Sequence, residues 1–215
     1  MPLTLRPFLA LLVGACALAQ GPVPQSAVRP TVVLNAPDTG QRLSVSVLDA
    51  PEAQACFNDL AERLDIPHGY LADGAHARAH KMVRILDDKD ITAAKAWVLG
   101  DIYMDSKLFG EVGLIFHVAP VVYVRMGEAP ILCVLDPSLF DRPVPHATWK
   151  AKLLAKSKAK LQRAYFSSRF AYDPEDRTKV LTAYELDALN DMDATNRTFG
   201  RKLYALELLK GSATR

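Results

Sequence analysis

The sequence predicts an α+β domain: an antiparallel sheet packed against one helix, followed by a helical C-terminal region. Three observations carry that prediction. Ala75, Ala79, Met82 and Leu86 fall at i, i+4, i+7 and i+11, one face of a helix beginning near Gly74. Apolar runs at 94–100, 112–125 and 131–136 read as strands, and Gly127-Glu128-Ala129-Pro130 joins the last two as an antiparallel hairpin. Beyond Pro145 the chain becomes charged and helical, with helices expected near 147–163, 180–192 and 200–210.

From the N-terminus, Arg6 precedes an apolar run over 8–19, too short for the roughly 20 residues a bilayer needs. It ends in Ala17-Leu18-Ala19, so 1–19 reads as a secretory signal peptide cut after Ala19, implying a secreted or periplasmic protein. Val13-Gly14-Ala15-Cys16 offers an alternative, lipidation of Cys16, against which Gly14 argues. Residues 20–30 are a Pro-rich leader. Strands at 31–35 and 42–48 flank Ala36-Pro37-Asp38-Thr39-Gly40, a hairpin turn, so 20–50 is leader plus hairpin and 51–215 the main domain. Pro51 opens an amphipathic helix reaching about Leu64.

With 215 residues, half of them hydrophobic, the chain can bury a sizeable core. Its net charge of +2 implies no nucleic-acid or membrane partner, and a monomer without stable membrane insertion is expected. Once 1–19 is removed, Cys56 and Cys133 remain. An exported protein permits a disulfide between them if their Cα atoms come within ~7 Å. Two buried apolar thiols are an equal alternative.

The chemistry concentrates in three segments: Asp73-Gly74-Ala75-His76-Ala77-Arg78-Ala79-His80-Lys81-Met82, then Phe116-His117-Val118-Ala119, then Leu135-Asp136-Pro137-Ser138-Leu139-Phe140. A cysteine nucleophile wants a helix N-terminus and an imidazole to lower its pKa, and a third polar group to fix the imidazole tautomer. A helix start at 75, with His and Asp on neighbouring strands, meets that geometry, in the order used by papain-like and transglutaminase-like amidohydrolases. From about 66 to 149 the chain resembles the bacterial protein-glutaminases, with Pro143-Val144 and Trp149 continuing the likeness.

That resemblance implies a papain/transglutaminase-like core and cofactor-free deamidation of glutamine side chains. The partner would be a protein or peptide with exposed glutamine, and the products glutamate and ammonia. It implies His117 as general acid/base, Asp136 as its orienter, and a cysteine where this chain has Ala75. A methyl group cannot attack an amide; losing a triad nucleophile costs on the order of a millionfold in kcat. The chain is therefore expected to fold without turning over, whether Ala75 is a deliberate substitution or a natural loss. Two alternatives stay open: a non-catalytic module binding a glutamine-bearing partner, and transglutaminase-like acyl transfer.

Neither remaining cysteine replaces the nucleophile: Cys133 and Asp136, three apart on one strand, face opposite ways, and Cys56 sits mid-helix. The Ala75 N–H is the candidate oxyanion donor. Gly74, His76 and Trp149 are candidate substrate contacts, although Trp149 and Trp97 also suit a core. His76 and His80 have zinc-pair spacing, but Ala77 stands where a metalloprotease has Glu, and no metal is expected. Asp73 and Arg78 suit a loop-pinning ion pair better than a substrate clamp. The acid-free stretch from Lys150 to Arg163 suits a solvated helix face better than a site for an acidic partner. Asn196-Arg197-Thr198 fits a glycosylation sequon, which a bacterial leader makes irrelevant.

Overall fold

The computed structural model describes residues 29–213. The signal peptide over 1–19, lipidation at Cys16 and the leader up to 28 lie outside the described residues. Strands β1 (Thr31–Ala36) and β2 (Gln41–Asp49) form the expected hairpin. Helix α1 (Ala50–Ala61) follows at once, with the Asp49 carboxylate accepting from Glu52 N at 2.8 Å and Pro51 in the first turn. Then come α2 (Ala75–Asp87), β3 (Ala94–Ser106), β4 (Gly110–Arg125), β5 (Pro130–Val134), β6 (Val144–Pro145), α3 (His146–Leu153) and β7 (Lys160–Ser168). A 3-10 turn (Pro174–Thr178) leads to the long helix α4 (Leu186–Ala213).

The strands make one sheet in the order β1-β2-β4-β3-β7, with β5 and β6 branching from β4. The α+β class is as the sequence predicts, but the sheet is mixed, not wholly antiparallel. β2 pairs with β4 in parallel at Val47–Tyr123 and Leu48–Val124, which joins the N-terminal hairpin to the same sheet. On one face, Phe57 and Leu60 of α1 and Met82, Val83 and Leu86 of α2 pack on Leu48, Val122, Val124 and Cys133. On the other, Trp149 and Leu153 of α3 pack in a core with Ala96, Val98, Ala119, Val121 and Val134.

Three expectations are corrected. The helix expected over 147–163 ends at Leu153, and residues 160–168 form β7 along the outer edge of β3. Sheet completion decides this: pairing with β3 buries Tyr165 and Ser167, whereas the lysine run offers a helix no apolar stripe. The helices expected at 180–192 and 200–210 are one helix, α4, because Gly200 has open space around it and is tolerated mid-helix. The strand expected at 94–100 continues to Ser106 through a bulge.

That bulge shapes the site. Pairing runs Leu99 with Phe116 and then Ile102 with Leu114, one residue more on β3 than on β4. Val112 and Leu114 therefore share the α3-side core with Ala119 and Val121, although they differ in parity. Gly100 makes the bulge possible: its φ is +141°, and an added Cβ would lie 2.0 Å from the Lys160 carbonyl oxygen of β7. Gly100→Ala should lower stability by about 2 kcal/mol or more, read from the denaturant midpoint. An unchanged midpoint would mean the bulge relaxes without cost.

Candidate active site

Helix α2 starts unusually. Its cap residue, Gly74, is left-handed at φ +75°, and no side chain caps the first-turn amides. A Cβ on Gly74 would sit 2.6 Å from the Phe199 ring, so glycine is required twice over. Uncapped amides at a helix N-terminus are ready donors to an anion. Asp73 Oδ1 accepts the Gly74 N–H at 2.6 Å. Arg78, one turn into the helix and 2% exposed, donates through Nη1 to the carbonyls of Tyr70 (2.9 Å) and Asp73 (2.6 Å). The expected Asp73–Arg78 ion pair is thus a clamp on backbone carbonyls instead. Burial lowers the Arg78 guanidinium to about 10, so it stays charged at neutral pH. From α4, Phe199 stacks on Tyr70 with centroids 4.6 Å apart, holding the same loop from outside.

The loop then crosses an edge of the sheet. Leu71 and Ala72 pack with the α3-side core, whereas Ala75 and Ala79 pack with Trp97, Val118 and Phe116 on the opposite face. β5 borders β4 only from Val121 onward, with Leu135 N donating to Pro120 O, so the strand edge before that is passed by the 71–75 segment. A cavity of about 270 Å³ separates them, lined by 71–75 and 113–116.

His117 lies between Phe116 and Val118, so alternation sends its ring toward the α3 side. There its Nε2 meets Asp136 Oδ2 at 2.8 Å, with the two side chains 1% and 2% exposed. A carboxylate only accepts, so Nε2 carries a proton, and whenever the ring is neutral Nδ1 is its bare nitrogen. Nδ1 is buried and has no hydrogen-bond partner. Trp149, expected at the substrate, is instead fully buried; its Nε1 donates to Asp136 Oδ2 at 2.8 Å and its ring lies 5.9 Å from that of His117. Asp136 Oδ1 accepts from Ser138 N at 3.1 Å. Burial alone would raise the Asp136 carboxyl, but His117, the Trp149 indole and more distant Arg78 bring it below its ordinary value.

Other expected residues fall apart from this pair. His76 is half-buried, edge-on to Tyr172 (centroids 5.0 Å apart), and burial lowers its pKa. His80 does not join it: its Nδ1 accepts from Lys95 Nζ at 2.7 Å, and burial, then Lys95, lower its pKa to about 2. Lys95 is itself fully buried, donating to Ala171 O, with a pKa well below the ordinary lysine value. The one sequence signal for this buried pair is Lys95 as the lone charge within Ala93-Ala94-Lys95-Ala96-Trp97-Val98. Trp97 is buried, donating to Ser167 Oγ at 2.8 Å. Cys56 and Cys133 are free and buried, and burial pushes both thiols up, Cys133 to about 11. Cys133 faces α1 and α2, away from Trp149 and its core. In the lysine run, Lys156 pairs with Asp105, Lys158 with Glu111 and Arg163 with Asp38. Three of its six cations are therefore met locally.

Residues 53–153, just under half of the chain, match the family model described as Glutaminase. Over that segment the chain is similar to the family so described. Among solved structures, a protein-glutaminase crystal structure superposes with TM-score 0.59 at 22% identity, covering 71% of this chain and 87% of that one. The NMR structure of protein-glutaminase from Chryseobacterium proteolyticum gives TM-score 0.55 at 23% identity, over 68% of this chain and 85% of that one. A pro-protein-glutaminase gives TM-score 0.60 at 22% identity; 72% of this chain covers 58% of that longer one. At these identities the structures show a shared fold. No curated protein matches the chain. Among the described residues, no helix is long and apolar enough to cross a membrane.

The glutaminase-like segment contains His117, Asp136 and Trp149, whose interdependence has a pH signature. With its folded pKa depressed, Asp136 adds stability above the unfolded value near ~3.9, and that stability is lost as pH falls through the folded pKa. Trp149→Phe removes one donor to a buried carboxylate, a cost of about 1.5–3 kcal/mol. Circular dichroism should show its acid unfolding beginning at higher pH than in the parent; coincident acid transitions would contradict the role given to the indole.

Proposed function

We propose that this chain is a protein-glutamine amidohydrolase in design, arrested by alanine at the nucleophile position. The observation carrying the proposal is the buried His117–Asp136 pair, oriented through Nε2 with Nδ1 unpartnered, in the glutaminase-like segment that also contains the start of α2. A cysteine at 75 would hold its sulfur at the uncapped helix start, where the first-turn amides and the His117 imidazole would both favour thiolate.

In that form the thiolate attacks the carboxamide carbon of a glutamine side chain. The oxyanion takes the Ala75-position N–H, the candidate donor. Imidazolium formed at His117 protonates the departing ammonia through Nδ1, leaving a thioester. Water, deprotonated by the same nitrogen, then cleaves the thioester to glutamate and regenerates the thiol. Asp136 stays ionised throughout and steadies the imidazolium. No cofactor enters the scheme. Gly74 shapes the turn that presents the donor, and Arg78 holds that turn through Tyr70 and Asp73. With that cysteine the protein would act on exposed glutamine in proteins or peptides, as a monomer, outside the cytoplasm after cleavage at Ala19.

As the sequence stands, Ala75 favours a second reading, a pseudoenzyme that binds a glutamine-bearing partner without turnover. The two diverge under one substitution. Ala75→Cys should produce ammonia from casein at a rate on the order of a millionfold above the present chain, which should be silent. If the cysteine form is silent as well, the binding module is the better account. Release from the chain as it stands would show that another residue is the nucleophile.

A further inference from the structure

The cavity beside Ala75 has an uncommon floor. Gly113, Leu114, Ile115 and Phe116 all line it, although they are consecutive residues of one strand. Alternate side chains of a strand point to opposite faces, so four in succession reach one cavity only when it lies against the strand's edge. This edge is unpaired. On one side β4 bonds β3 along Gly110–Val121; on the other, β5 begins only at Val121, with Leu135 N on Pro120 O as the last link. The 71–75 segment passes alongside without strand pairing, leaving about 270 Å³ between.

An unpaired edge presents a row of N–H and C=O groups spaced for another extended chain. Natural proteins usually blunt such an edge with charge, proline or a covering element. Here Gly113 and Leu114 carry no charge, Ile115 is 78% exposed, and Phe116 is half-buried. Across the gap stand Asp73, Gly74 and Ala75, the turn with uncapped amides. We propose that the edge of β4 at 113–116 takes up the backbone of an extended, glutamine-bearing polypeptide as an added strand. The main chain of the partner bonds to β4, and one side chain of the added strand enters the gap toward position 75. Main-chain pairing supplies affinity regardless of sequence, and the side-chain gap supplies the selection. The partner class is therefore a protein segment able to lie extended, a flexible loop or tail. Free glutamine lacks the backbone for this, and a glutamine on a helix has its backbone groups already used.

This inference rests on the reading of the position-75 cleft as a glutamine site, and one binding experiment separates the two. The present chain, which should bind without turnover, is titrated by fluorescence anisotropy with a labelled, capped peptide centred on glutamine. The same peptide is made with single backbone N-methylations at successive positions, with norvaline for glutamine, and with a side-chain staple that fixes it as a helix. Strand addition predicts a period of two: methylation weakens binding about tenfold at alternate amides, matching one hydrogen bond each, and little between them. The stapled peptide should not bind. If glutamine is preferred over norvaline but methylation shows no alternation, the edge proposal fails while the glutamine reading stands. Alternation without glutamine preference keeps the edge and removes the glutamine reading. Absence of binding by the unmodified peptide contradicts the edge proposal outright, and Ala75→Cys turnover then judges the cleft alone.

Discussion

A carboxylate and an imidazole buried together inside an apolar layer set the terms for the rest of this structure. Asp136 and His117 lie almost without solvent between the sheet and α3, where an unpaired charge would be far costlier than a lost hydrogen bond. Each therefore needs partners fixed in advance. Asp136 receives His117 Nε2, the Trp149 indole and the Ser138 amide, which occupy both carboxylate oxygens. The demand propagates outward: Trp149 must lie in α3, α3 must cover the Ala96–Ala119 face, and β5 must end where Asp136 turns inward. One nitrogen, His117 Nδ1, is outside this closed network. It is the one acceptor the arrangement keeps in reserve.

The second requirement is to bring a helix start to an imbedded strand from the far side. α2 packs on the face opposite His117, so contact through the sheet is impossible. The chain solves this at the uncovered edge of β4, where 71–75 steps from one face to the other. Such a crossing is sharp and needs support. Left-handed Gly74 and the buried Arg78 clamp at the start of α2, with Phe199 of α4 stacked on Tyr70, supply it. The bulge at Gly100 re-phases β4 against β3 in the same region, bringing Leu114 onto the His117 side. Chemistry, packing and topology thus converge on a few residues of one strand.

Much of this was legible in the sequence, for physical reasons that differ by residue. The α2 face and the β4–β5 hairpin showed because apolar periodicity and a Gly-x-x-Pro turn are local signals. Ala75, His117 and Asp136 stood out through motif resemblance, and Trp149 through its continuation. Trp149 was legible as a residue but not in its role, since an indole hydrogen bond to Asp136 depends on where α3 docks. Arg78 looked like the partner of the Asp73 side chain; its carbonyl targets follow from a backbone turn that composition does not encode. Phe199 lies in a distant helix and meets Gly74 only in the fold. β7 was missed because lysine-rich residues with no apolar stripe look like solvated helix until β3 needs a neighbour. Lys95 was missed for the opposite reason, a single charge hidden within an apolar strand.

The proposed chemistry requires His117 Nδ1 to be held toward position 75. Long-range proton–nitrogen NMR of the His117 ring reads this directly. In the chain as it stands, at a pH where the ring is neutral, Nε2 should carry the proton and Nδ1 should be bare. In the Ala75→Cys form, Nδ1 should become protonated at the same pH, as an imidazolium paired with thiolate. An Nδ1 signal unchanged by the cysteine, or a proton resting on Nδ1 with Nε2 bare, would contradict the arrangement.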